Sequence, residues 1–183
     1  MEAIINGANA GVKLVVGVTA LLLALLGIMA LVDLLLTGVG SGVNSVFGIH
    51  VDWTLKGLLG YLFYPVTLVI GVPPSDAPEI ARLIGERVIA TEVKSYQDLA
   101  TLMASNALQN PRSAVLATYA LTGFAHVPSL AIFVGGIAAL APGRSQDLAR
   151  IGFRALLAAT LACLMTAAVA GVFYSSGSAI LGG

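Results

Sequence analysis

The residues whose types could hold a polar solute are a carboxylate, an imidazole and a hydroxyl: Glu92, His126 and Ser129, each beside an interruption in an apolar run. A carboxylate accepts two hydrogen bonds well, so an ionised Glu92 would suit vicinal hydroxyls such as those of a ribose. The plainer reading of Glu92 is an exposed loop carboxylate with no partner. His126 and Ser129 are three residues apart and would point into the same space. Either the imidazole bonds a neighbouring helix, or it serves as a proton-sensitive ligand group. Thr91 caps a following helix as readily as it meets a ligand, and Phe124 reads by spacing as packing. The sequence has no paired metal ligands, no nucleophile beside a base and no phosphate loop, so an enzyme is poorly supported.

The elements that must position these residues are written in the composition. The chain has 183 residues, 58% hydrophobic and 10% charged, against roughly 25% charged for an ordinary soluble domain. A water-soluble fold of this size could not cover itself. Nine basic and nine acidic residues balance, so no field steers the chain to nucleic acid. The single cysteine, Cys163, lies in an apolar run and reads as a small buried side chain. The first apolar stretch is too long for a signal-peptide core and is read as a retained anchor.

Four uncharged stretches are long enough to cross hydrocarbon: 14–32, 57–75, 113–143 and 155–183. The first, extending to Leu36, is Leu-rich scaffold, and the glycine-rich residues 38–52 suit a loop outside the bilayer. Pro65 and Gly71-Val72-Pro73-Pro74 demote the second to an interfacial helix over 55–70. Residues 76–90 and 94–108 are two moderately apolar segments rich in charge, flanking a tip at Ala90-Thr91-Glu92-Val93. Two such helices form either a soluble hairpin, which charge alone favours, or a re-entrant one. The third long stretch carries Gly123 and Pro128 at its centre and reads as a discontinuous helix. Arg144, Arg150 and Arg154 follow, so the 142–154 loop is expected to be cytoplasmic. That places the N-terminus inside, in weak agreement with Lys13, and the C-terminus outside.

Four motifs in this order and spacing carry a family resemblance: Gly7-Ala8-Asn9-Ala10-Gly11-Val12-Lys13-Leu14; Gly71-Val72-Pro73 with Asp76-Ala77; Gly85-Glu86-Arg87-Val88-Ile89-Ala90-Thr91-Glu92 with Tyr96; and Gly123-Phe124-Ala125 through Ser129 with Gly135-Gly136. The chain resembles the concentrative nucleoside transporters, over almost its whole length but to their C-terminal half only. The resemblance implies an all-α integral membrane protein with about three spans, an interfacial helix, and a re-entrant helical hairpin followed by a discontinuous helix. The expected boundaries are a span at 11–37, the interfacial helix at 55–70, the hairpin at 75–108, the broken helix at 112–141 and a last span at 150–175. It reverses the charge-based preference for a soluble hairpin. It further implies that Glu92 and Ser129 bind the ribose of a nucleoside with Phe124 against the ligand, Thr91 and His126 completing the set. The family usually has Asn where this chain has Thr91, Phe at Val93, Asn at His126 and Trp at Pro74. An amide offers a fixed donor and acceptor pair, whereas an imidazole changes character with protonation.

The sequence contains one hairpin and broken-helix unit with no internal repeat, and one such unit encloses half a site. The leading expectation is a half-transporter for nucleosides or related solutes in the cell membrane, with no cofactor, coupled to Na+ or H+ through a complementary half. That half would be a second membrane subunit or another copy of the chain. The alternative is a non-transporting membrane assembly protein of the nucleoside-recognition type, in which Glu92 and His126 hold a subunit interface.

Overall fold

The computed structural model describes residues 1–140 and 142–175, and these are helical with no strand among them. The first helix, α1 (Glu2–Phe47), runs for 46 residues, roughly 69 Å at about 1.5 Å per residue against a hydrocarbon core of roughly 30 Å. Most of its side chains are exposed, including Val15, Leu23, Leu31 and Leu35.

Helix α1 overturns the expected loop at 38–52, because the chain stays helical through Phe47. Glycines weaken a helix by about 1 kcal/mol each, but here tertiary packing uses one of them. Gly40 leaves room for the Trp53 ring, which a Cβ at that position would strike. Asn44 then holds the returning chain: its amide donates to Val51 O at 3.0 Å, and its Oδ1 accepts from Trp53 Nε1 at 3.0 Å. The helix stops at Gly48 in the left-handed conformation, φ 63°, which costs glycine no steric strain.

Helix α2 (Leu55–Val69) begins where Thr54 accepts a hydrogen bond from Gly57 N. Burial acts to raise Asp52, yet hydrogen bonds from the Thr54 side chain and backbone, with the Arg82 and Lys56 charges, hold its carboxyl below the usual range. Asp33 of α1 accepts from the free Leu55 N–H at 2.6 Å, which gives a charge on a long apolar helix a partner at a helix N-terminus. Pro65 stands inside α2, and the chain turns at Gly71 with φ 94°.

Helices α3 (Ala77–Ile89) and α4 (Glu92–Ala104) are joined through Ala90 and Thr91. Glycines let α2 and α3 approach closely: a Cβ on Gly85 would come within 2.7 Å of Leu59 Cβ, and one on Gly60 within 2.8 Å of Arg82 Cγ. The buried Asp76 closes the base. Its Oδ1 accepts from Gln109 N at 2.9 Å, and its Oδ2 accepts from Asn110 N at 3.0 Å and Ser113 Oγ at 2.6 Å.

Helix α5 (Pro111–Leu121) ends, residues 122–126 are non-helical, and α6 (Val127–Leu140) resumes. A 3-10 turn (Pro142–Arg144) leads to α7 (Ser145–Phe173). Most of the expected 142–154 loop is therefore helix, since no proline follows Pro142 and Asp147 sits favourably in the first turn. Ile80, Ile84, Leu99, Leu116, Leu121 and Leu164 form the core, drawn from α3, α4, α5 and α7. Ala141, the expected end of the broken helix, and residues 176–183, which carry the expected outer C-terminus, lie outside the described residues.

Candidate functional site

The joint between α3 and α4 sets Thr91 in extended backbone, φ −120° and ψ 157°, at the N-cap position of α4, although its side chain makes no capping bond. Glu92 follows in the first turn of α4, where the positive end of the helix dipole favours a carboxylate.

The facing break is held open by its own residues. Thr122 closes α5 by donating both its N–H, at 3.4 Å, and its Oγ1, at 2.8 Å, to Tyr119 O. A side chain at Gly123 would run into Cys163 Sγ, so α7 approaches the backbone here. Pro128 falls in the first turn of α6, where its missing donor is no loss.

His126 and Ser129 cross-bond across that turn. Ser129 N donates to His126 Nδ1 at 3.0 Å, and Ser129 Oγ accepts from His126 N at 3.3 Å. The one Ser129 hydroxyl proton is shared between Phe124 O at 2.7 Å and His126 O at 2.8 Å. Because Nδ1 accepts, the ring proton sits on Nε2. Nε2 lies 2.6 Å from Glu92 Oε2. The two atoms do not meet in an aligned hydrogen bond, yet a nitrogen and an oxygen this close would repel without the Nε2 proton between them. No other described residue bonds to the Glu92 side chain, so its Oε1 carries no bond.

All five residues read from the sequence thus gather at one place. His126 and Ser129 are buried at 2% and 1% exposure, while Phe124 is 58% exposed. The Phe124 ring sits 5.2 Å from the His126 ring and 6.3 Å, edge to face, from Phe133. A cavity of about 240 Å³ opens beside it, lined by Phe124, Ser129, Leu130, Phe133 and, from α7, Ala155, Leu156 and Ala159. A second cavity of about 270 Å³, between α2 and α3 beside Tyr61 and Arg82, contains none of the five.

Sequence reasoning missed the residues that lock the tip to the broken helix. The last carbonyls of a helix have no partner within it, and here α3 and α4 supply donors: Arg87 Nη1 to Ala120 O at 2.6 Å and Tyr96 OH to Thr118 O at 2.9 Å. Arg87 is fully buried, and its Nε and Nη2 have no hydrogen-bond partner among the described residues. Both residues stand in the third quoted motif, which was the available signal. A second cluster closes the other face. Lys56 of α2 bonds Glu86 at 2.9 Å and also Asp98, and Lys94 bonds Asp98.

An all-helical chain with long apolar helices, a polar tip facing an interrupted helix, and a carboxylate between them has the make-up of a membrane transport unit. Residues 1–171 match the family model described as "Na+ dependent nucleoside transporter C-terminus". An uncharacterized transporter of Haemophilus influenzae is 37% identical over 184 residues, covering 99% of this chain and 43% of that protein. Solute carrier family 28 member 3 of Eptatretus stoutii is 35% identical, over 95% of this chain and 26% of that protein. The solved structure of CNTnw in an intermediate state superposes with a TM-score of 0.79 at 38% identity, over 92% of this chain and 40% of that one. This chain belongs to the concentrative nucleoside transporter family. It is a membrane protein whose relatives are transporters rather than enzymes, and it spans less than half the length of the relatives it matches.

Proposed function

We propose that this chain is one half of a nucleoside transporter of the cell membrane, and that Glu92 with Phe124, His126, Ser129 and Thr91 forms its share of the binding site. The observation that supports this best is the meeting of Glu92 from the α3–α4 tip with His126 from the broken helix at 2.6 Å. A carboxylate held there with one free oxygen accepts a sugar hydroxyl, and the exposed Phe124 ring offers a face to a base. A complementary half, from a second subunit or a second copy, completes the site and supplies coupling to Na+ or H+. Residues 75–108 enter the membrane as a re-entrant hairpin, α2 lies along the interface, and the N-terminus and the 142–154 segment face the cytoplasm. Glu92→Gln keeps the size of the side chain and removes the charge. Nucleoside binding by the complex purified from membranes should fall by about a hundredfold or more, and normal uptake by this variant would defeat the proposal.

One observation favours a second reading, a non-transporting assembly protein. Ser129 and the Nδ1 side of His126 are buried and satisfied by one another and by the backbone, as a purely structural interface would have them. Co-purification separates the two. A partner with its own hairpin supports transport, and a partner lacking one, with no nucleoside bound, supports assembly.

A further inference from the structure

We infer that the cavity between α2 and α3 holds the headgroup of a membrane phospholipid that carries both a phosphate and a primary ammonium, as in phosphatidylethanolamine. The cavity, about 270 Å³, is lined by Gly57, Gly60, Tyr61 and Tyr64 of α2 and by Pro78 and Arg82 of α3. Tyr61 and Tyr64 are both exposed. With Trp53 they make three of the six Trp and Tyr residues of the chain, gathered within twelve positions. Such side chains concentrate where a membrane protein meets the lipid headgroups. Leu62 and Val69 of the same helix are exposed as well, so α2 also presents apolar surface to acyl chains.

Charge selects the headgroup. Arg82 Nη2 lies 3.7 Å from Asp52 Oδ2 and Nη1 lies 3.8 Å from Glu79 Oε1, both beyond hydrogen-bond reach. The guanidinium therefore keeps donors for a phosphate, whose oxygens it meets two at a time. Asp52 borders the same cavity, since a Cβ on the lining Gly57 would stand 2.6 Å from its Oδ2. Its Oδ1 is occupied by Thr54 N and Thr54 Oγ1. One guanidinium between two carboxylates leaves an excess negative charge, and Lys56, the nearest cation on α2, is held by Glu86 and Asp98. A headgroup with phosphate alone meets Arg82 against that excess. One with an ammonium a few bonds beyond the phosphate sets one charge on Arg82 and the other on Glu79 or Asp52. A primary ammonium also brings three N–H donors to those oxygens, and a choline headgroup brings none.

The test uses the complex purified from membranes with the subunits it retains, placed in bilayers of equal phosphatidylethanolamine and phosphatidylglycerol with matched acyl chains. Native mass spectrometry then reads the lipids that stay bound. Phosphatidylethanolamine should be retained about fivefold over phosphatidylglycerol. Glu79→Gln removes the excess negative charge and should bring the two to within about twofold. Arg82→Gln should lower retention of both lipids. If that variant does not fold, Glu79→Gln, at a side chain 44% exposed, decides alone. Equal retention of the two lipids by the unaltered protein overturns the inference, as does an unchanged preference in Glu79→Gln. A complementary half seated over Tyr61 and Tyr64 in the complex overturns it too.

Discussion

At the scale of single residues, Arg87 is the least expected side chain in the molecule. It is a cation at 0% exposure with no carboxylate at ion-pair distance among the described residues, and burial of an unpaired charge is costly. Its one bond, to Ala120 O, satisfies a carbonyl at the open end of α5, where positive charge is favoured by the helix dipole. Arg87 is therefore a positioning residue that ties the tip to the break. Arg87→Met should leave Ala120 O unsatisfied and lower stability by about 1–3 kcal/mol. Arg87→Lys, which keeps a donor and the charge, should recover part of the loss in thermal unfolding of the purified complex. Equal stability of Arg87→Met and the unaltered protein would show that the bond contributes nothing.

Among the elements, the pairing of α2 with α3 controls where the tip stands, because α3 leads directly to Thr91 and Glu92. That pairing depends on close approach at Gly60 and Gly85. The Cβ of Gly85→Ala would lie 2.9 Å from the Leu59 carbonyl carbon and 3.1 Å from Gly60 N. Backbone cannot swing aside as a side chain does, so α2 must move. Overpacking of this kind costs about 1–3 kcal/mol, and the melting temperature should fall while Gly7→Ala, at a position with nothing within 4 Å, leaves it unchanged. The charges of this region show why its polarity misleads when counted residue by residue. Lys56, Glu86, Lys94 and Asp98 neutralise each other in space, and a count of charges along 76–108 contains no sign of that pairing.

For the whole molecule, orientation in the bilayer decides which surfaces face lipid, water and a partner. Long apolar α1 is almost wholly exposed, and so are Phe153, Leu157, Leu161 and Phe173 on α7. The positive cluster at Arg144, Arg150 and Arg154 gives the orientation to test. Arg150→Cys should be modified by a membrane-impermeant thiol reagent in inside-out vesicles and not in intact cells. Cys163, at 8% exposure, is a low background. Labelling from the outer face would reverse the proposed topology.

The grouping of Glu92, Thr91, Phe124, His126 and Ser129 came from the family resemblance, whereas the solvent of this protein, its helical class and the break near Gly123 and Pro128 were legible in the residues themselves. Those properties follow from composition and from local backbone chemistry, which neighbouring residues carry. The sequence misled at 38–52, where Gly40 reads as loop but lies under Trp53, and at 142–154, which reads as loop but is mostly helix. At 38–52 helix propensity is a weak local term that packing overrides, whereas at 145–154 the residues themselves permit helix, since no proline follows Pro142. Only folding turns His126 Nε2 toward Glu92, clamps the end of α5 with Arg87 and Tyr96, and pairs Glu86, Lys94 and Asp98 of the hairpin with one another and with Lys56. Each of these joins residues distant in sequence, and hydrogen-bond direction exists only once both partners are placed.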